Sequence, residues 1–475
     1  MISLAVFLPA LFGLLLLLGA PRALGVLGAA MSLGINLGLF ASVADGAGFY
    51  EKAPLLKEAG VYYALGLDGV SALLFLSTAL VVFLGSLARA EGRFLGLALL
   101  MSTGLLGLFA ARDLVLFYVF FEATLIPSLF MLLLYGGKER IRALYTFALF
   151  TLAGSLPMLA AILAVRYLGQ AESFLLEDLL KHPIPEAYGA WVFLGFLVAF
   201  AVKTPLVPLH AWLPLFHREN HPSGLADAMG TLYKVGIYAF FRYAIPLAPS
   251  GFSEWQGVLL LLSAIGAVYG AWVAFSASDW KTLLAYAGVS HMGLAGLGLF
   301  SGSPEGVTGA LFLLAASAVY TGAFFLFGGL LFERVLTLEL GRYRGLAATA
   351  PGLSALGLFL TMAMVGLPGL SGFPGELFAL LGAYKASPWM TAFGFLAVIG
   401  AAAYALTAFQ KVFWEEAPLA QAVGLPKAWD LSGREWLFAG VSVLVLLWMG
   451  LFPGYFMQGL TPLAEALVKL LGGGA

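Results

Sequence analysis

Apolar runs of roughly 20 residues recur from one end of the chain to the other, and this length is what a helix needs to cross a bilayer. The chain is 61% hydrophobic and 10% charged, whereas a soluble domain has about 25% charged residues. A membrane β-barrel would instead show alternating segments of about ten residues. The sequence therefore predicts an all-α polytopic membrane protein.

Hydropathy predicts about fourteen transmembrane spans. Their approximate limits are 2–20, 24–43, 69–88, 94–111, 113–135, 142–168, 189–213, 223–245, 255–276, 281–301, 305–333, 352–384, 389–413 and 436–457. The longest polar joints are 44–68, 169–188 and 414–435. The first run lacks a basic leading region and a small-residue cleavage pattern, which indicates a retained helix rather than a signal peptide.

The basic residues of the joints predict the orientation of the chain. Cytoplasmic joints carry an excess of Lys and Arg. The odd-numbered joints hold Arg22, Arg89, Arg93, Lys138, Arg140, Arg142, Arg218, Lys281, Arg334, Arg342, Arg344, Lys411, Lys427 and Arg434. The even-numbered joints hold half as many, namely Lys52, Lys57, Arg112, Arg166, Lys181, Arg242 and Lys385. The odd joints are therefore predicted to be cytoplasmic and both termini periplasmic, in the cell inner membrane.

Two spans are expected to break. The seventh contains Lys203-Thr204-Pro205 and then Pro208, and the twelfth contains GLPGLSGFPGE at 366–376. A proline removes a backbone donor and clashes with the carbonyl four residues earlier. Broken helices at corresponding places in two halves are typical of inverted-repeat transporters.

This pattern predicts two inverted five-helix repeats, each with a broken helix. The expected organisation is 1–93 (helices 1–3), 94–250 (helices 4–8, the first half-channel), 251–415 (helices 9–13, the second half-channel) and 416–475 (a loop and helix 14).

Several classes of chemistry are excluded. The net charge of −1 argues against a polyanion-binding surface, so no nucleic-acid partner is expected. Without cysteine there are no disulfides and no iron–sulfur ligation by thiolates. The chain has no G-x-x-x-x-G-K-[ST] and no G-x-G-x-x-G. No metal or cofactor is expected here, and the energy must come from an ion gradient or another subunit.

Five ionisable residues fall near the middle of the predicted spans or at their breaks: Glu122, Lys203, Lys234, His291 and Glu376. A lysine at the centre of a bilayer costs about 2.5–3.5 kcal/mol. Lys234 is about 15 Å from either interface, too far for its side chain to reach water. One interpretation is a structural Glu122–Lys203 pair that fixes helix packing. The other is a proton relay, because chains of such groups in membranes mark proton paths, and we favour the relay.

Other polar residues leave alternatives open. His210 would share a helix face with Lys203 if the helix resumed after Pro208. His217 and His221 have a spacing of four, but no Cys or neighbouring Asp completes a metal site, so loop residues or a point of proton uptake are favoured. Asp227 is either an additional acid of the relay or the cap of span eight, and we favour the cap.

The motifs point to a known family. Segments 203–242, 63–71 (YALGLDGVS), 116–127 (LFYVFFEATLIP), 278–293 (SDWKTLLAYAGVSHMG) and 366–376 resemble the proton-translocating antiporter-like membrane family. The M-type subunits of respiratory complex I, NADH:quinone oxidoreductase, are the most similar members. The features in common are about fourteen spans without a long C-terminal extension, the D-G-V-S segment before span three, and glutamate at 376. The helix 7–8 turn, LPLFHRENHPSGLAD, departs from the family pattern.

The resemblance implies specific roles. Glu122 and Lys203 would form the controlling pair, Lys234 and His291 would carry protons along the central axis, and Glu376 would lead to the exit or to a neighbouring subunit. His210 would lie beside Lys203.

The resemblance also implies partners and leaves two other functions open. NADH, FMN, iron–sulfur clusters and quinone are expected in partner subunits, and the partners are other membrane subunits, including homologous antiporter-like ones. A subunit of a multisubunit Na⁺/H⁺ antiporter or of a membrane-bound hydrogenase is the alternative function, and a structural membrane scaffold is a third.

Overall fold

A computed structural model describes residues 1–229, 234–415 and 430–472 of the protein. Residues 230–233 of the predicted eighth span lie outside the described residues. So do residues 416–429 of the predicted joint 414–435, including Lys427.

A two-stranded β-hairpin interrupts the first helices of the chain. These elements are α1 (Ile2–Leu17), α2 (Arg22–Ala44), β1 (Phe49–Leu56), β2 (Val61–Leu67), α3 (Gly69–Ser86) and α4 (Gly92–Ala110). The strands are antiparallel, with Phe49 opposite Leu67 and Leu56 opposite Val61. The sequence indicated only a polar joint here, because a search for apolar runs of about 20 residues passes over strands of 8 and 7 residues.

The middle of the chain contains the first interrupted helix. Its elements are α5 (Leu114–Ala123), α6 (Leu125–Tyr135), α7 (Arg140–Gly169), α8 (Leu176–Leu179), α9 (Gly189–Lys203), α10 (Trp212–Glu219), α11 (Leu225–Ala228), α12 (Lys234–Ala239), a π-helical turn (Phe240–Ala244) and α13 (Ile245–Leu247).

Longer helices make up most of the remaining chain. They are α14 (Pro249–Phe275), α15 (Trp280–Phe300), α16 (Pro304–Val335), α17 (Leu346–Thr349), α18 (Pro351–Val365), α19 (Gly372–Ala386), α20 (Pro388–Phe409, followed by a π-helical turn Gln410–Trp414), α21 (Gly433–Leu451), α22 (Pro453–Met457) and α23 (Thr461–Leu470). The helix α16 is buried continuously from Gly306 to Leu331 and packs against α3, α15, α18 and α19.

The polytopic helical class is confirmed. Among the described residues, eleven helices are long and apolar enough to cross a membrane, counting α5 and α6 as one, and α1 and α18 are shorter apolar helices. The prediction of about fourteen spans counted interrupted helices as single crossings. That number, the inverted repeats and the four-part division remain predictions.

The joints gather on two faces of the bundle. The hairpin face carries the β-hairpin, and both termini lie there: the Met1 amine pairs with Glu51, and α23 lines a cavity with Leu176 and Arg242. The loop face carries the odd-numbered joints. There Gly137 donates to the carbonyl of Glu219 over 2.7 Å, and Trp280 donates to the carbonyl of Leu338 over 2.9 Å. Which face is periplasmic remains a prediction.

Both expected helix breaks are present. The first separates α9, which ends at Lys203, from α10, which begins at Trp212, and the second separates α18 from α19. The first helix does not resume directly after Pro208, because residues 204–211 form turns and helical geometry returns only at Trp212. The condition under which His210 would share a helix face with Lys203 is therefore not met. Here Pro205 and Pro208 lack the amide donors that an immediate restart would require.

A glycine allows the helix carrying Lys234 to approach the first break. A Cβ at Gly236 would overlap the Thr204 hydroxyl and the Phe200 carbonyl oxygen. The backbone of α12 therefore lies directly against the end of α9, and a larger residue would force the two apart.

Gly236→Ala is expected to destabilise the protein by about 1–3 kcal/mol through this overpacking. Gly257→Ala is the matched control, because Gly257 also lies in a helix and a Cβ there would have no atom within 4 Å. The measurement is the thermal unfolding midpoint in membranes or detergent. Equal midpoints for the two variants would contradict the close approach of α12 to α9.

Candidate functional site

Lys203 lies at the C-terminal end of α9 and is buried. Its Nζ is 4.9 Å from the ring centroid of Phe121 and 5.6 Å from that of Phe147. Aromatic faces attract cations at such distances, and the negative end of the helix dipole also favours a cation there. The site can therefore hold the ammonium without a carboxylate in direct contact.

Glu122 lies one residue after Phe121, in the last turn of α5, and is half-buried. No ion pair within 4.0 Å joins its carboxylate to Lys203 in the described structure. The two groups are therefore separated, with the ring of Phe121 beside the ammonium.

Lys234 begins α12 and is buried. Because Gly236 packs on Thr204, the helix that carries Lys234 contacts the segment just after Lys203. His210 lies within the same turn segment, with its imidazole 5.1 Å from the Tyr269 ring centroid. The structure thus brings the first break and the start of α12 together and sets His210 against α14.

His291 and Glu376 meet inside the second half of the bundle. The Nε2 of His291, on α15, is 4.0 Å from Oε1 of Glu376, on α19, and both side chains are buried. Gly366 leaves room for the carboxylate, because its φ is +76° and a Cβ there would overlap Oε2 of Glu376. The imidazole also packs edge-on against Tyr320, with ring centroids 5.5 Å apart. The helix that follows the second break therefore places the carboxylate of Glu376 beside His291.

A buried cluster that the sequence did not predict lies on the loop face. Asp227 Oδ1 is 2.9 Å from Nδ1 of His217 and accepts from Asn220 Nδ2 over 3.2 Å, while its Oδ2 is 2.7 Å from Nζ of Lys281. The interpretation of Asp227 as a cap is wrong, because it lies inside α11, whose N-cap is Gly224. Two of its partners, His217 and Asn220, are 10 and 7 residues away, whereas Lys281 comes from a distant part of the chain.

His217 and His221 have different partners. His217 binds Asp227, whereas Nδ1 of His221 is 2.9 Å from the Ser223 hydroxyl. The two imidazoles thus have different partners within the segment 213–227.

A second unpredicted cluster ties the hairpin face together. Asp68 caps α3, and its Oδ2 lies 2.9 Å from Nη2 of Arg112 and 2.7 Å from Nη2 of Arg242. Burial raises the pKa of Asp68, but the two guanidinium groups and hydrogen bonds lower it further, so that the pKa lies below its ordinary value. Arg242 also donates to the Tyr238 hydroxyl, two turns after Lys234 begins the helix.

Acid–base side chains occur at successive positions in the described part of the bundle. Glu122 follows Phe121, whose ring centroid is 4.9 Å from Nζ of Lys203. The helix α12, which begins at Lys234, packs against α15, which carries His291, and Nε2 of His291 is 4.0 Å from Oε1 of Glu376. Each of these groups is able to gain and lose a proton, and the lysines, the histidine and Glu376 are sheltered from lipid by surrounding helices.

Comparison with known proteins agrees with this geometry. Residues 111–400 match the family described as NADH:quinone oxidoreductase/Mrp antiporter, TM. The chain is 68% identical to NADH-quinone oxidoreductase subunit 13 of Thermus thermophilus over the full length of both proteins. It is 35% identical to NADH-quinone oxidoreductase subunit M of Rhodobacter capsulatus, covering 86% of this chain and 83% of that one.

A solved structure gives the same result. A chain of respiratory complex I from Thermus thermophilus with bound NADH superposes with a TM-score of 0.96, at 68% identity and complete coverage of both chains. Fold and sequence thus agree over the whole molecule. The chain belongs to the NADH:quinone oxidoreductase/Mrp antiporter membrane family, as an M-type antiporter-like subunit of NADH:quinone oxidoreductase.

Proposed function

We propose that this subunit moves protons through a relay of Glu122, Lys203, Lys234, His291 and Glu376, with His210 beside the first lysine. The observation that carries the proposal is the placement of ionisable groups at both helix breaks. Lys203 terminates one half-helix, and Glu376 follows the start of another. Burying such groups costs several kcal/mol each, so a purely structural bundle has no reason to retain them.

The helix dipoles favour opposite charges at the two breaks. Lys203 is at the C-terminal, negative end of α9, and Glu376 is near the N-terminal, positive end of α19. Each break thus stabilises a charged state that the apolar surroundings alone would oppose. A proton that binds Glu376 or leaves Lys203 neutralises the charge at that break, so each half of the bundle has a charged and a neutral state.

Glu122 is positioned to receive a signal from outside the chain. Val119 and Ile126 share its helix face and are 53% and 60% exposed. A neighbouring membrane subunit seated on this face would contact Glu122, and its charge would change the attraction between Glu122 and Lys203. Energy from electron transfer would then reach the relay through contacts, without redox chemistry in this chain.

The assembly follows from the similarity to complex I. We infer that other membrane subunits, including homologous antiporter-like ones, flank the chain in the cell inner membrane, with both termini periplasmic. NADH, FMN, iron–sulfur clusters and quinone would be bound by partner subunits. The Na⁺/H⁺ antiporter and hydrogenase alternatives are less favoured, because the relatives with high identity are subunits of NADH-quinone oxidoreductase.

Lys203→Ala and Glu122→Ala are each expected to reduce proton pumping driven by NADH oxidation while leaving the complex assembled. The first removes the proton carrier at the break, and the second removes the charge that acts on it. The measurement is NADH-driven proton translocation in membrane vesicles containing the whole complex. Lys385→Ala is the control, because Lys385 is an exposed lysine paired with Glu305 on the surface. Full pumping in both test variants would count against the relay.

Glu376→Gln is expected to reduce the pumping rate, whereas Glu376→Asp should retain part of it, because only a carboxyl group can accept a proton from His291. Loss of a positioned proton-transfer group costs about 10²–10⁴-fold in rate when that step limits turnover. The same vesicle measurement applies, with Glu305→Gln on the surface as the control. Equal pumping by the Gln and Asp variants would show that position 376 does not titrate during transport.

A further inference from the structure

The buried cluster on the loop face joins three separate elements. His217 is on α10, Asp227 on α11 and Lys281 at the start of α15, and they are exposed by only 1%, 0% and 3%. The cluster lies in and beside the segment 213–227, where the sequence departs from the usual family pattern. A buried charge pair of this kind costs desolvation energy that hydrophobic residues would not.

Asp227 fixes the state of the imidazole. Its Oδ1 lies 2.9 Å from Nδ1 of His217, and a carboxylate at this position requires a proton on Nδ1. The imidazole also stacks on Phe325, with ring centroids 4.6 Å apart and an angle of 19° between the planes. Orientation and tautomer are thus both set, and Nε2 becomes the nitrogen that exchanges a proton.

Lys281 keeps Asp227 in the ionised form, which accepts the hydrogen bond from Nδ1 of His217. Its Nζ is 2.7 Å from Oδ2 of Asp227 and donates to the backbone carbonyls of Asn220, over 2.8 Å, and His221, over 3.0 Å. An adjacent cation favours the ionised carboxylate, which desolvation alone would neutralise. Because the ammonium is held by one carboxylate and two carbonyls, Lys281 is placed to anchor the cluster rather than to carry a proton.

The cluster also faces the proposed relay. His217 stacks on Phe325 of α16, and α12, which begins at Lys234, packs against the same helix. Lys281 donates to the carbonyls of the turn that closes the loop face. We propose that Asp227 and Lys281 are positioning residues that hold His217 as the proton-transfer group between the loop face and Lys234. This inference rests on the proposed function, because it assigns His217 a place in the same relay.

The test uses the assembled complex in membrane vesicles and the initial rate of NADH-driven proton translocation. Asp227→Asn is expected to lower this rate about ten- to hundredfold, by analogy with the loss found when the partner that orients a metal-bound histidine is removed. Asp227→Glu should restore part of it. In a His217→Gln background, Asp227→Asn should have no further effect, because it acts through the imidazole.

A purely structural role gives different results. If the ion pair only balances charge, the double variant Asp227→Asn, Lys281→Met will pump like the native protein, and the inference is overturned. It is also overturned if Asp227→Asn lowers the rate further in the His217→Gln background. Glu435→Gln is the matched control: Glu435 is similarly buried and pairs with Arg334 at 2.9 Å on the same face, and its loss should leave pumping unchanged.

Two single variants keep the inference testable even if changes at Asp227 prevent assembly. His217→Gln leaves the Asp227–Lys281 pair intact, and native pumping by this variant would refute the role of His217. Lys234→Met tests the relay itself: native pumping there would refute the proposed function. Loss of pumping in Lys234→Met with native pumping in His217→Gln would refute only the present inference.

Discussion

The interior of a membrane allows no unpaired backbone groups, and the whole structure depends on this constraint. A helix can end inside the bundle only where other groups take up the freed donors and acceptors. At the first break, Thr204 donates back to Phe200 over 2.7 Å, and the indole of Trp212 donates to the Val202 carbonyl over 3.0 Å. At the second, Leu367 donates to Met362 over 3.0 Å. Within the breaks, Thr204 and Ser371 are fully buried, whereas Pro208 and Leu367 are exposed.

The same breaks create the electrostatic conditions for transport. A helix that ends inside the protein presents one end of its dipole to the interior, and this chain places Lys203 and Glu376 near such ends of opposite sign. Between them, α12 is drawn close by Gly236 and brings Lys234 into the bundle, while α15 supplies His291. The positions of the ionisable groups thus follow from backbone geometry before any side-chain contact is considered.

The polar clusters at the two faces complete this design. On the hairpin face, Asp68 joins the start of α3 to two arginines, one of which lies on the helical segment that follows Lys234. On the loop face, the ion pair between Asp227 and Lys281 joins the segment 213–227 to α15. Both clusters hold helices that carry residues of the proposed relay.

The sequence by itself determined the class of the protein, the two helix breaks and the ionisable residues inside the spans. These are local properties: run length, proline and glycine content, and the position of a charge within an apolar segment. It also gave the family, through motifs that are continuous in the chain. The β-hairpin was not predicted, because its strands are much shorter than the apolar runs that indicate membrane spans. The start of α10 at Trp212 was not predicted either, because a proline indicates where a helix ends better than where it resumes.

Only the tertiary structure decided which charges meet. His217, Asp227 and Lys281 come from three separate elements. His291 and Glu376, which approach to 4.0 Å, are 85 residues apart in the chain. Asp68 and Arg112, which form an ion pair, are 44 residues apart. Nothing in local periodicity specifies such pairings. They arise from helix packing, which depends on the shapes of all the contacting surfaces and not on the spacing of residues along one segment.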